Sequence, residues 1–297
     1  MSLTNRPAPP GLSPGLAAWV REVAGQQDPR VGPTTPVVPL LTYGLPTRPY
    51  GPDHSQVFLC AGVALKIHPA GIDQAALARR LRAISLPDTE PVWIQPLGYR
   101  AFPAPGGRVA TLWPRVTVLS TLDRPPWEEA ARLLARLHRA PLGGDPPAHG
   151  GVGSLAGTVT RLRQLDRPDL DDWLEGSDSG FERAHDLDRP LLSRLAELGD
   201  QLVGQLARPG RVAWVHGDFH LGHLAHTLLR RSWKLVDVDS FGGGDPAWDL
   251  ARPAAFYAAG LLGRGSWSRF LAAYREAGGT AVPATGDPWL AACEGAW

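Results

Sequence analysis
Lysine and asparagine are nearly missing from this chain. Of its 30 basic residues only Lys66 and Lys234 are lysine, and Asn5 is the single asparagine. The pattern looks like GC-biased coding, and a lysine that survives it is a candidate for chemistry arginine does not supply. Cysteine is equally sparse: Cys60 and Cys293 lie far apart, with neither metal-ligand spacing nor a disulfide framework. Cys60 sits in an apolar run, which predicts a buried, reduced thiol. No apolar run reaches the ~18 residues of a membrane span, and the N-terminus lacks a basic-then-apolar leader. Net charge is +1 with 20% charged residues, so no global field favours nucleic acid or a membrane surface. The expectation is a soluble cytoplasmic protein with no nucleic-acid or membrane partner. Oligomeric state is not legible.

The 297 residues suffice for one large domain or two modest lobes. Residues 1–35 are rich in Pro and Gly, with an amphipathic helix over Pro14–Gly25 (Leu16, Trp19, Val20 and Val23 on one face). Residues 36–115 read as a β-rich lobe with runs at Val37–Thr42, Ser55–His68, Val92–Leu97 and Val109–Trp113. A single helix, Ile72–Ile84, interrupts them, which suggests a small antiparallel sheet. Residues 116–297 are mainly helical: Trp127–Arg139, 191–207, Trp248–Leu262 and Trp267–Ala277. Two short strands, Ala213–His216 and Lys234–Val238, flank a loop dense in His, Asp and Gly.

That loop carries the chemistry. His216-Gly217-Asp218-Phe219-His220-Leu221-Gly222-His223 is followed by Leu235-Val236-Asp237-Val238-Asp239. Two adjacent apolar strands, read as a hairpin, thus deliver carboxylates to one place. Phosphoryl transfer needs that arrangement: one carboxylate takes the proton of the attacking hydroxyl and another anchors the metal that neutralises phosphate charge. Hard carboxylate oxygens suit Mg²⁺. In the β-rich lobe, Val63-Ala64-Leu65-Lys66-Ile67 reads as a buried strand with one charge, which must pair or reach solvent.

His216-Gly217-Asp218, Asp237 and the later Gly244-Asp245-Pro246-Ala247-Trp248-Asp249-Leu250-Ala251 resemble the aminoglycoside phosphotransferase family. Leu134–Ala140 and Phe270–Arg275 look like its helices, and the resemblance is most specific over 126–280. It implies an α+β, protein-kinase-like bilobal fold, with a small antiparallel β-sheet N-lobe and a mainly helical C-lobe. It also implies an ATP- and Mg²⁺-dependent phosphotransferase acting on a hydroxyl of a small molecule. Asp218 would then be the catalytic base and Lys66 would meet the ATP phosphates. Asp237 would hold the metal, joined by Asp239 and His223, while His216 and Asp249 support the loop. The loop Gly44–His54 would cover the nucleotide.

Two positions depart from the family pattern. His223 stands where a metal-binding Asn is usual, and imidazole favours softer metals than Mg²⁺. The helix over 72–84 has no glutamate for Lys66, so Asp88 and Glu90 become candidate partners. A catalytically impaired pseudokinase therefore stays open, as does a kinase of Ser/Thr in a peptide natural product. The run His216, His220, His223, His226 leaves a zinc hydrolase as a remote alternative, although Gly217 and Gly222 argue against a regular helix there. The acid-rich stretch 165–190, with Trp173 and Phe181, would suit a polycationic, aminoglycoside-like acceptor. It reads equally well as a solvated helical segment, and another sugar or amino alcohol remains open as acceptor.

Overall fold
The structure, a computed structural model, describes residues 12–40, 55–119, 125–143, 146–164, 189–206, 212–227 and 232–286. The chain divides into two compact units. The first comprises Met1–Arg82, Ile94–Thr117 and His226–Ser232, and the second Ala83–Trp93, Val118–Ala225 and Trp233–Trp297. Among the described residues no helix is long and apolar enough to cross a membrane.

The smaller unit is a five-stranded antiparallel sheet in the order β1-β2-β3-β5-β4. Its strands are β1 (Val37–Leu40), β2 (Gln56–Cys60), β3 (Val63–Ile67), β4 (Phe102–Ala104) and β5 (Arg108–Pro114). The run read as one segment over 55–68 is a hairpin, turning at Ala61 (φ 50°) and Gly62. The helix α1 (Pro14–Gly25) starts where Ser13 accepts a hydrogen bond from the Leu16 amide at 3.2 Å. Its pattern places Val20, Val23 and Ala24 against Phe58, Leu65, Ala110 and Leu112 of the sheet. Asp28, just past the helix, accepts from the Gly62 amide at 3.0 Å and binds Arg30, tying the helix exit to the hairpin turn. Cys60 is buried and free, and burial pushes its thiol pKa up. The helix α2 (Gln74–Ala83) follows β3.

One expected strand is absent. Residues 92–97 form no ladder; Trp93 makes a single isolated bridge to Leu235. Pro91 precedes the run and Pro96 lies within it, and neither can donate to a neighbouring strand. The remaining sheet edge is built by β4, which the Pro- and Gly-rich composition of 102–107 hid.

In the larger unit, α3 (Trp127–Arg139) matches its expected span. Glu128 and Glu129 sit in its first turn and Arg136, His138 and Arg139 in its last, which suits the helix dipole. It packs on α7 (Arg264–Glu276) through an edge contact of Trp127 on Phe270 at 6.0 Å. The pair α4 (Gly151–Gln164) and α5 (Arg189–Leu206) pack on each other and are joined by an Arg163–Asp200 ion pair. The short strands are β7 (Ala213–Val215), β9 (Lys234–Leu235) and β10 (Gly242–Gly244), together with β6 (Val116–Val118) and β8 (Leu224–Thr227), whose residues fall partly in each unit, and α6 (Ala247–Ala258) follows.

The strands at 213 and 234 were expected to be neighbours, and they are not. β7 pairs with β10, while β9 pairs with β8. β10 is three glycines because neighbours lie close on its other side: a Cβ at Gly242 would meet the Ala148 backbone and the His149 amide, one at Gly243 the Pro146 ring, and one at Gly244 the His149 ring. The strand expected over 234–238 stops at Leu235, because Asp237 takes a left-handed conformation (φ 69°).

Candidate active site
β7 ends in the loop bearing His216, Gly217 and Asp218, and α6 supplies the group that holds it. Asp249, in the first turn of α6, is only 1% exposed. Its Oδ2 accepts the His216 amide at 2.6 Å and its Oδ1 the Gly217 amide at 2.9 Å. His138 of α3 donates from Nε2 to the same carboxylate at 3.1 Å. Tyr274 donates to His138 Nδ1 at 2.7 Å and accepts the Ala281 amide at 3.2 Å. Burial alone would raise the Asp249 pKa, but the hydrogen bond and charge of His138, and His216 beyond it, hold it below its ordinary value.

His216 is fully buried between Trp93 (5.2 Å, stacked) and His223 (5.2 Å, stacked). It donates from Nε2 to the Val236 carbonyl at 2.9 Å, linking the loop to the segment that carries Asp237. Burial, reinforced by His223, pushes its pKa down to about 4. It is a neutral strut at ordinary pH.

Gly217 turns the chain at φ 84°, and Trp248 donates to its carbonyl at 2.8 Å. A Cβ here would overlap the Ser240 carbonyl oxygen, which is backbone and cannot rotate away. Gly217→Ala therefore combines left-handed strain with a steric clash. It should cost about 2–4 kcal/mol of unfolding free energy, read as a lowered midpoint in thermal or urea melts.

Asp218, with 47% of its side chain exposed, lies at a cavity of about 480 Å³ formed by α4, α6 and the loop. Its Oδ1 accepts from Arg252 at 2.6 Å. Behind it, His223 donates from Nδ1 to the Asp218 carbonyl at 2.9 Å, which turns its Nε2 towards Asp237 Oδ2 at 3.7 Å. Asp239 gives its amide to Asp237 Oδ1 at 3.2 Å, a local turn that offsets the strained φ of Asp237.

The expected metal group is thus gathered in part. His223 and Asp237 face each other, and Asp239 touches Asp237 through its backbone. A different trio comes within mutual ligand distance: Asp218, His220 and His223, whose ligand atoms lie within 4.8 Å of one another. His220 caps the short turn 221–223 by accepting the Gly222 amide at 3.0 Å. Burial lowers the pKa of both His220 and His223, so both keep lone pairs at neutral pH. The histidine run is not on one helix: it passes from an extended residue through a 3-10 turn into β8.

Lys66 lies in β3 of the smaller unit, 7% exposed, opposite Val57 and Thr111. Lys234 reaches the Glu90 carbonyl at 3.3 Å. Gly44–His54, Trp173, Phe181 and the acid-rich stretch up to residue 188 lie outside the described residues.

Residues 55–291 match the model of the phosphotransferase enzyme family, which covers most of the chain. The chain belongs to that family. It is a phosphotransferase. A comparison with curated protein sequences finds no match. Solved structures share its fold. An aminoglycoside phosphotransferase from Streptomyces rimosus is 21% identical, covering 90% of this chain and 93% of its own, with a TM-score of 0.55. An aminoglycoside-3'-phosphotransferase of type VIII is 19% identical over 91% of this chain and 95% of its own, TM-score 0.50. A choline/ethanolamine kinase family protein from Mesorhizobium loti is 17% identical over 89% and 77%, TM-score 0.50. The bilobal kinase-like α+β fold is therefore that of the phosphotransferase.

Arg252, His138 and Tyr274 were not singled out in the sequence as site residues. A signal for Arg252 existed: it stands three residues after Asp249, so one face of α6 carries both. His138 and Tyr274 had no such signal, since their meeting joins two distant helices.

Proposed function
We propose that this phosphotransferase moves the γ-phosphoryl group of ATP to a hydroxyl of a small molecule, with Asp218 as the base. The observation that carries the reading is the clamp of Asp249 on the His216 and Gly217 amides, which presents Asp218 at a cavity beside the Asp237–His223 pair. Asp218 keeps Oδ2 for the acceptor while Arg252 holds Oδ1. Its carboxylate orients the acceptor hydroxyl and takes its proton as the oxygen bonds to the γ-phosphorus. The bond from that phosphorus to the bridging oxygen breaks, and ADP leaves. Positioning and charge neutralisation supply most of the acceleration. Lys66, the one lysine buried in a strand, is assigned to the ATP phosphates. A structure of the same fold, an aminoglycoside 2'-phosphotransferase solved as its GDP complex, supports a nucleotide site. An ATP-dependent reaction of this kind belongs in the cytoplasm.

Asp237 and His223 would offer a divalent cation a carboxylate oxygen and an imidazole lone pair already turned towards it. Asp239, whose amide bonds Asp237, is the third ligand in this proposal. Such an ion would neutralise phosphate charge. A ligand nitrogen in place of an amide oxygen shifts preference from Mg²⁺ towards Mn²⁺.

Calorimetric titration of ATP with Mg²⁺, Mn²⁺ or EDTA tests this directly. Metal-dependent binding is expected, tighter with Mn²⁺ than with Mg²⁺, and Asp237→Ala should weaken it about tenfold or more. His223→Asn should move the preference back to Mg²⁺. An unchanged metal order would remove His223 from the metal site. No nucleotide binding under any metal would overturn the transferase reading in favour of a pseudokinase.

A further inference from the structure
We propose that Arg252 makes the acceptor pocket selective for a hydroxylated molecule that also carries a carboxylate or similar small anionic group. This rests on the phosphotransferase reading above and names the acceptor class for the same site. Among the described residues lining the cavity, two are charged: Asp218 and Arg252. They are bonded to each other at 2.6 Å, so the wall they form has no net charge to offer a cation. The facing helix α4 contributes Ser154, Leu155 and Thr158 and contains no acidic residue; its charged residues are arginines. An ammonium group entering here meets a carboxylate already neutralised and a guanidinium beside it.

An anion meets the reverse. The Arg252 guanidinium has five N–H donors in a rigid fork, and its bond to Asp218 is the one it makes among the described residues. With 43% of its side chain exposed, the fork remains able to grip a carboxylate in bidentate fashion. The same bond fixes how close base and anchor stand. A hydroxyl on Asp218 and an anionic group on Arg252 must belong to one short carbon skeleton. Trp248 and Leu155 give that skeleton apolar walls, and the volume of about 480 Å³ admits a six-carbon polyol.

Gluconate, glucose and glucosamine have similar six-carbon, hydroxyl-rich skeletons bearing negative, zero and positive charge. Their binding to the full chain, measured by ligand-observed NMR or calorimetry without nucleotide, isolates the charge preference of the pocket. The parent should bind gluconate about tenfold or more tighter than glucosamine, with glucose between. Arg252→Ala should level the series and Arg252→Glu should invert it, while melting temperatures stay near the parent's because the side chain is exposed. Preference for glucosamine, no charge preference, no binding of any of the three, or an order untouched by Arg252→Glu would each overturn the inference. ATP binding by the same preparations is read separately. Its loss in the parent would sink the phosphotransferase reading, whatever the sugar series shows.

Discussion

Asp218→Asn is expected to lower kcat by ~10²–10⁴-fold, the usual contribution of a general base. The amide keeps the size of the side chain and one oxygen for Arg252, but it cannot take a proton. Almost half of the Asp218 side chain is exposed, and its one described side-chain partner is the exposed Arg252, so the melting curve should not move. Nucleotide affinity should stay within a few-fold of the parent's, because Asp237 and Lys66 carry that binding in the proposed scheme. Kinetics, a melt and a nucleotide titration on one preparation therefore separate a lost base from a lost fold. Residual transfer well above the uncatalysed rate is expected from positioning alone. Turnover at the parental rate would mean that another group accepts the proton. The Asp218 side chain would then serve Arg252 rather than the acceptor.

What the sequence disclosed follows from where chemistry is local. Trp127–Arg139 and Pro14–Gly25 were legible to the residue, because helical periodicity and end signals lie within one short window. His216, Asp218, Asp237 and Asp249 were legible because their spacing along the chain is itself a pattern. β10 was not: three glycines have no strand propensity, and only the close approach of the 147–149 backbone to Gly242, of Pro146 to Gly243 and of the His149 ring to Gly244 explains them. The pairing of β7 with β10 was hidden for the same reason, so the strands at 213 and 234 looked like partners. The run at 92–97 misled in the opposite direction. Its β-rich composition is real, but Trp93 is buried against His216 and Phe241 as a packing residue, and Pro91 before the run and Pro96 within it block a ladder. Arg252 illustrates the remaining gap. Its contact with Asp218 spans distant positions and depends on how α6 docks beneath the loop, which no local rule encodes.

Asp249→Ala should be the most destabilising single change at the site, by about 3–5 kcal/mol in urea unfolding. The carboxylate is completely buried and satisfies three donors: the His216 amide, the Gly217 amide and His138 Nε2. Its loss strands all three away from water, and the loop that carries Asp218 loses its anchor as well. Activity should fall together with stability, unlike the pure catalytic loss expected for Asp218→Asn. The pH dependence of the parent gives a second, independent reading. Asp249 has a folded pKa below its unfolded value, so the stability it contributes is present above pH ~4 and is lost as pH falls through the folded value. His216, held down to about 4 from an ordinary 6.5, acts earlier. Between those values the unfolded chain binds a proton that the folded chain refuses. Acidification from pH 6.5 to 4 should therefore cost on the order of 3 kcal/mol before Asp249 begins to titrate. Asp249→Asn should keep the His216 limb in that window and flatten the limb below it. A variant that melts within about 0.5 kcal/mol of the parent, with the acid limb intact, would show that the loop holds its shape without the carboxylate.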